Sequence, residues 1–188
     1  ICAQNCYYKD NFGAHTGSVS PFMIKKIGVN YVIIGHSENR SSGETDKIIE
    51  EKVSLALKNN FTVILCIGEN KEEKRKKKTL KVLRRQISNV LKRKYDLKKI
   101  IVAYEPVWSI GSGKLPSPYE LEKNVIVLKK FIKEKFKKKY NPKILYGGSI
   151  DKNSIHSFKF IKELDGFLIG GASKSSKNFI DIIENFYK

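Results

Sequence analysis

The sequence has few cysteines, and their positions argue against two common kinds of small protein. Its 188 residues include three cysteines, Cys2, Cys6 and Cys66, an odd number with no C-x-x-C pair, and only three histidines. Disulfide frameworks and structural zinc sites need more such residues at closer spacing. The pattern therefore favours free thiols and fits a reducing cytoplasm.

Long apolar runs are also missing. No stretch of about 18 apolar residues occurs, and the first twenty residues lack the basic-then-apolar order of a signal peptide. We therefore expect no membrane span and no secretion. Five prolines and 13 glycines are too few for a disordered or collagen-like chain. We expect one domain over residues 1–188, and because Ile1 already resembles the middle of a strand, we also expect a segment before it.

Acidic residues are scarce: 19 against 37 lysines and arginines, a formal net charge of +18. Such a charge suggests nucleic acid or an anionic membrane as a partner. The lysines concentrate in 71–99 and 123–143, however, on the polar faces of predicted helices, and 71–94 contains no aromatic residue for base stacking. We therefore predict solvated helix faces and no nucleic-acid partner.

Short β-branched runs alternate with amphipathic helices, which favours parallel strands joined by crossover helices. The predicted strands are Ile1–Gln4, Tyr31–Gly35, Thr62–Cys66, Ile100–Tyr104, Ile144–Tyr146 and Gly166–Ile169. Four helices carry apolar stripes that should face a sheet: Ile49, Val53, Ala56 and Leu57; Leu80, Leu83, Ile87 and Val90; Leu121, Val125, Leu128 and Ile132; Phe179, Ile182, Ile183 and Phe186.

The glycines decide between an open doubly wound sheet and a closed barrel. A dinucleotide-binding fold places its phosphate glycines after the first strand. Here they follow the late strands, as Gly111 with Gly113, Gly147 with Gly148, and Gly170 with Gly171. Because barrels commonly bind phosphate after their last strands, we predict a (β/α)8 TIM barrel, represented by about six of its eight units and short of about 60 residues.

Five segments resemble the triosephosphate isomerase family in order and spacing. Their sequences are IGHSE (34–38), CIGE (66–69), AYEPVWSIGSGK (103–114), YGGS (146–149) and DGFLIGGAS (165–173). The resemblance implies interconversion of the two triose phosphates through an enediol, with neither cofactor nor metal. It runs from Ile1 to the C-terminus and lacks the family's opening quarter.

The resemblance also implies residue roles. Glu105 matches the base that removes a proton next to a carbonyl, and His36 matches the acid that polarises that carbonyl. The phosphate-binding positions are filled by Gly111, Ser149, Gly170 and Gly171. Glu38 and Tyr146 match supporting residues. In the family this tyrosine bonds a backbone N–H at the far hinge of a lid, but that position is Pro116 here, which has no N–H.

The resemblance further implies a homodimer, because the loop from Cys6 to Val19 corresponds to one that reaches into a second subunit. Ser18 and Asn39 stand where the family has a charged pair at that interface. No Asn-Trp-Lys occurs to supply the family's catalytic lysine, so we expect the 188 residues alone to be a poor isomerase. A non-catalytic partial barrel that binds anions or assembles with another chain is the alternative, and a basic nucleic-acid binder is a third.

Overall fold

The structure, a computed structural model, describes residues 1–9, 13–137 and 141–187, and its centre is a six-stranded parallel sheet. Each strand pairs with the next strand along the chain, so the order across the sheet is β1-β2-β3-β4-β5-β6. The strands are β1 (Cys2–Ala3), β2 (Tyr31–Ile34), β3 (Thr62–Ile67), β4 (Ile100–Tyr104), β5 (Lys143–Tyr146) and β6 (Gly166–Phe167). All six predicted strands are present, close to their predicted bounds.

Helices separate the strands, as parallel pairing requires. They are α1 (Pro21–Lys26), α2 (Ser37–Ser41), α3 (Asp46–Lys58), α4 (Lys71–Arg75), α5 (Thr79–Val90), α6 (Pro118–Phe136) and α7 (Ser176–Tyr187). Their starts follow local sequence: Thr45 caps α3, and Ser117 caps α6 with proline at its first position. Three short 3-10 helices lie at Leu97–Lys99, Ile155–Phe158 and Gly171–Lys174.

The core lies between the sheet and the apolar faces of α3, α5 and α6. Val53, Leu83 and Leu128 are fully buried there, opposite strand residues such as Val63 and Leu65. The stripes predicted for these three helices therefore face the core, except that Leu80 of α5 is only half-buried while Val82 is buried. Strands buried in this way carry continuous apolar runs, which is why none of them alternates clearly.

The stripe predicted on α7 is buried only in part. Ile182 is buried, but Phe179 and Ile183 are exposed. Phe186 packs edge-on against Phe167 of β6, with ring centroids 5.5 Å apart. Among the described residues β6 pairs with β5 alone, so α7 covers an edge of the sheet and has fewer neighbours than α3, α5 and α6.

The basic helices follow the predicted pattern with one exception. Lys129 lies within a stretch predicted to be solvated, yet it is nearly buried beside Asp165, with Nζ–Oδ2 at 3.0 Å, and Glu163 at 3.5 Å. The pair ties α6 to the start of β6. In the part of the chain that the structure describes, no helix is long and apolar enough to cross a membrane.

Candidate active site

A cleft of about 580 Å³ lies at the carboxyl ends of the strands. Segments that follow β1, β2, β4, β5 and β6 line it. Seven of the eight predicted site residues are among the lining: His36, Glu38, Glu105, Gly111, Ser149, Gly170 and Gly171. The eighth, Tyr146, is buried as the last residue of β5. This is the end of a parallel barrel where catalytic residues collect.

Glu105 follows β4, and it is 2% exposed. Its N–H donates to the carbonyl of Ile67 at 2.7 Å, which fixes its backbone against β3. Two glycines leave room for it. A Cβ on Gly68 would lie 1.7 Å from the Glu105 carbonyl oxygen, and a Cβ on Gly147 would lie 2.7 Å from its Cγ. Neighbouring backbone thus surrounds Glu105 so closely that only glycine fits at both positions.

Burial raises the pKa of the Glu105 carboxyl above its ordinary value. His36, the Cys66 thiol, the Ser37 N–H and the charge of Arg40 oppose that rise, because each of them stabilises the carboxylate. A carboxylate whose charge is poorly solvated accepts a proton more readily than one in water. This property suits a general base that works near neutral pH.

His36 faces the same carboxylate from the end of β2. Its Nε2 lies 3.6 Å from Glu105 Oε1, and its Nδ1 accepts the N–H of Glu38 at 3.3 Å. A ring nitrogen that accepts a backbone N–H carries no proton, so this bond places the ring N–H on Nε2. His36 is also the N-cap of α2. The geometry therefore aims an N–H donor at the part of the cleft that Glu105 lines.

Glu38 contributes to this arrangement through its backbone. Its carboxylate is 85% exposed and lies 3.7 Å from His36 Nδ1, whereas its N–H makes the bond that fixes the ring. The structure thus places Glu38 beside the histidine, and it is the main chain of Glu38 that orients the ring.

Another part of the cleft is lined by backbone without bulky side chains. The 3-10 helix Gly171–Lys174 starts there, and the first N–H groups of a helix have no partner within it. A Cβ on Gly170 or on Gly171 would meet nothing within 4 Å, so open space lies over both. Gly111 has a φ of +63°, a left-handed conformation that favours glycine. Such exposed backbone beside open space suits an anion such as phosphate.

Residues 106–116, which the resemblance implies form a lid, contact Tyr146 away from the far end of the segment. Because Pro116 has no N–H, the hinge bond that the resemblance implies cannot form. The Tyr146 hydroxyl lies instead 3.0 Å from Ser109 Oγ within the lid. Burial raises the pKa of Tyr146 to about 12, so its hydroxyl keeps its proton at neutral pH.

Glu69 takes part in the site although the sequence pattern assigns it no role. It is fully buried just after β3, and its Oε1 accepts the indole N–H of Trp108 at 2.8 Å. The Tyr104 hydroxyl lies 3.2 and 3.3 Å from its two oxygens. Burial raises the pKa of Glu69, and the bond from Trp108 is the largest opposing effect. Glu69 thus anchors the first turn of the lid; its position directly after an apolar strand was the available signal.

Within residues 1–9, 13–137 and 141–187, no three or more His, Cys, Asp and Glu side chains are grouped so that they could hold a metal ion. The cleft offers a buried carboxylate, an imidazole N–H and backbone N–H groups. Together with the parallel strands and their crossover helices, this defines an acid–base enzyme built on part of a (β/α)8 barrel.

Comparison with known proteins specifies the class further. The family model for triosephosphate isomerase matches residues 1–186. Relatives named triosephosphate isomerase include those of Saccharomyces cerevisiae, 44% identical over 188 residues, Thermodesulfovibrio yellowstonii, 40% over 186, and Dictyostelium discoideum, 38% over 189. Each match covers 98% of this chain, and it covers 75%, 75% and 73% of the three relatives in that order.

The chain belongs to the triosephosphate isomerase family. This confirms the predicted family, the partial (β/α)8 barrel and an isomerase as the kind of enzyme.

Proposed function

We propose that this protein interconverts dihydroxyacetone phosphate and glyceraldehyde 3-phosphate, with Glu105 as the base and His36 as the hydrogen-bond donor to the substrate oxygens. The observation that carries the proposal is the distance of 3.6 Å between Glu105 Oε1 and His36 Nε2, at a cleft that both residues line. A substrate carbon and its carbonyl oxygen are adjacent atoms, so the groups that act on them must also be neighbours.

The reaction then needs only proton transfers. The Glu105 carboxylate takes a proton from the carbon beside the carbonyl, and the electron pair of that C–H bond moves toward the carbonyl oxygen. His36 Nε2–H stabilises the negative charge that develops on this oxygen and gives it a proton, which forms the enediol. His36 Nε2 then takes the proton of the hydroxyl on the carbon that lost its hydrogen, so that a new carbonyl forms there. Glu105 returns its proton to the former carbonyl carbon, which accepts the electron pair of the C=C bond. The pKa of Glu105, raised by burial, favours a carboxyl group that can both accept and release a proton.

Gly111, Ser149, Gly170 and Gly171 are proposed to hold the phosphate group through backbone N–H groups. Support comes from the open space above Gly170 and Gly171 and from the start of a 3-10 helix at the same place. Binding of the phosphate here would hold the three-carbon part of the substrate beside Glu105.

The test is turnover of Glu105→Asp and Glu105→Gln in a coupled assay, in a chain completed with the opening segment that the family resemblance implies. We expect kcat to fall by orders of magnitude while KM changes little, because the base acts mainly in the transition state. Glu134→Gln, on the exposed face of α6, is the matched control and should behave as wild type. Near wild-type kcat in Glu105→Gln would disprove the assignment. A completed wild-type chain that binds phosphate without turnover would favour the non-catalytic alternative.

We also propose a homodimer formed through the loop from Cys6 to Val19. Part of this loop, residues 10–12, lies outside the described residues. In the described part, a hydrogen bond of 2.8 Å from the Tyr7 N–H to the Val19 carbonyl joins the two ends of the loop. The Tyr7 and His15 rings pack against each other, with centroids 5.3 Å apart. Light scattering coupled to size-exclusion chromatography should give twice the chain mass, and the mass of one chain at micromolar concentration would refute the dimer.

A cytoplasmic location completes the proposal. It is supported by three free cysteines, since thiols persist where the environment is reducing. Microscopy of the tagged protein would test it, and enrichment in an oxidising compartment would contradict it.

A further inference from the structure

Ser109 sits at the centre of a hydrogen-bond network that joins the lid to the proposed phosphate site. The residue is fully buried. Its Oγ donates to the carbonyl of Lys114 at 2.5 Å, at the other end of the lid. The same oxygen lies 3.0 Å from the Tyr146 hydroxyl and accepts the N–H of Ser149 at 3.4 Å. Two ends of the lid and the segment 146–149 therefore meet at one hydroxyl group.

The single proton of this hydroxyl determines the direction of every bond. Because Ser109 gives its proton to the carbonyl of Lys114, its two lone pairs are left for donors. The Tyr146 hydroxyl must then be the donor in its contact with Ser109, and the Ser149 N–H occupies the second lone pair. Gly148 keeps this space open, since a Cβ there would lie 2.1 Å from the Tyr146 oxygen and 2.7 Å from Ser109 Oγ.

A second bond links Ser149 to Ser109, and Ser149 is again the donor. The Ser149 hydroxyl donates to the backbone carbonyl of Ser109 at 2.6 Å. Ser149 is thus held to the lid by its side chain and, through a longer bond of 3.4 Å, by its N–H. The longer bond is the weaker of the two and the easier to exchange.

We propose that the Ser109 hydroxyl is a positioning residue that couples the lid to phosphate binding by competing with phosphate for the Ser149 N–H. This inference rests on the proposed function, which includes that N–H in the phosphate site. A charged phosphate oxygen is a stronger acceptor than a neutral hydroxyl. Phosphate therefore takes the N–H, and Ser109 loses one of the bonds that fix the lid in the conformation described here.

The experiment is titration of the purified protein with inorganic phosphate. Trp108 is the only tryptophan of the sequence and lies in the lid, next to Ser109, so its fluorescence reports the lid while calorimetry reports binding. We expect Ser109→Ala to bind phosphate about two- to tenfold more tightly than wild type, the range that corresponds to one net hydrogen bond. The reason is that no bond to Ser109 then has to be broken.

Ser112→Ala is the matched control. Ser112 is a second lid serine whose hydroxyl proton is shared between the carbonyls of Trp108 and Ser109, at 2.9 and 3.0 Å, and whose oxygen accepts the Lys114 N–H at 3.2 Å. None of these bonds involves Ser149 or Tyr146. It should leave the phosphate affinity unchanged. A loss of general lid stability would affect both alanine variants, whereas the proposed competition affects only Ser109→Ala.

Each remaining outcome has a defined meaning. Equal or weaker phosphate binding by Ser109→Ala than by wild type would overturn the coupling and leave the proposed function intact. No phosphate binding by the wild-type protein would overturn the proposed phosphate site as well. If Ser109→Ala does not fold, Ser109→Cys takes its place, because sulfur fills the space as a weak acceptor and should shift the affinity in the same direction.

Discussion

A Cβ added to Gly147 would lie 2.7 Å from Cγ of Glu105, closer than two carbon atoms can approach without bonding. Gly147 follows β5, and Glu105 follows β4. The Glu105 side chain therefore packs directly against the backbone that follows β5, in space that is open only because position 147 is glycine.

We expect Gly147→Ala to push the Glu105 side chain aside and to lower kcat. A displacement of the reacting group by about 1 Å costs about 100-fold in rate. KM should change much less, because position 147 is not among the proposed phosphate donors. Steady-state kinetics will check this, and a variant with unchanged kcat would show that Glu105 has free space on another side.

Gly171→Ala should change KM, whereas Gly147→Ala should change kcat. A Cβ at this position meets no protein atom within 4 Å, so it does not disturb the packing. It enters the open space proposed for the phosphate group, and we expect KM to rise several-fold while the melting temperature stays the same. If KM is unchanged, the phosphate does not lie over Gly171.

The pKa of Glu105, raised by burial, predicts how stability depends on pH. Above the raised pKa, folding buries a charged carboxylate, which costs free energy. Below about pH 4.5 the group is protonated in both states and the cost vanishes. Glu105→Gln carries no charge at any pH, so it should melt higher than wild type at neutral pH. The difference should shrink as the pH falls through the raised pKa toward that value.

Thermal melts of both proteins across this pH range will measure the effect. A difference of 1 kcal/mol shifts the melting temperature of a protein of this size by about 2–4 °C. Glu38→Gln is the control, because its carboxylate is 85% exposed and folding hardly changes its solvation. A Glu105→Gln variant that melts lower than wild type at neutral pH would contradict the argument.

Trp108→Phe should destabilise the protein by about 1–3 kcal/mol, the cost of leaving a buried acceptor one bond short. The acceptor is Glu69 Oε1, and the Tyr104 hydroxyl at 3.3 Å would be its remaining partner. Phenylalanine still offers an aromatic ring to Lys74, whose Nζ lies 5.1 Å from the Trp108 ring centroid. The measured loss of stability therefore reports the hydrogen bond of the indole N–H.

Urea unfolding followed by far-ultraviolet circular dichroism gives the free energy of unfolding. In a Glu69→Gln background the acceptor is uncharged, and the same Trp108→Phe change should cost less. Equal costs in both backgrounds would mean that the charge of Glu69 does not strengthen the bond.

The sequence pattern predicts the six strands because buried parallel strands are short, β-branched and bounded by polar residues. It predicts the stripe of α6 for the same kind of reason, through Leu121, Val125 and Leu128. It does not predict how much of α7 is covered, since an apolar stripe indicates which face is inward and carries no information on how many neighbours that face meets. The burial of Lys129 is likewise invisible before Asp165 is known to lie beside it.

For the site, the pattern locates His36 and Glu105 because each follows a strand within a recognisable motif. It gives no account of Ser109, whose importance depends on one bond within the lid and on two bonds to a segment about 40 residues further along the chain. A serine within a lid looks like any polar loop residue until Tyr146 and Ser149 are placed around it.

Gly68 has a consequence for how this protein tolerates mutation. Its Cα approaches the Glu105 carbonyl oxygen so closely that a Cβ would lie 1.7 Å from it, and the two ends of β3 and β4 are therefore in direct main-chain contact. Even the methyl group of alanine at position 68 would push the two backbones apart and displace the carboxylate at position 105 with them. Position 68 is therefore closed to every side chain, including the smallest.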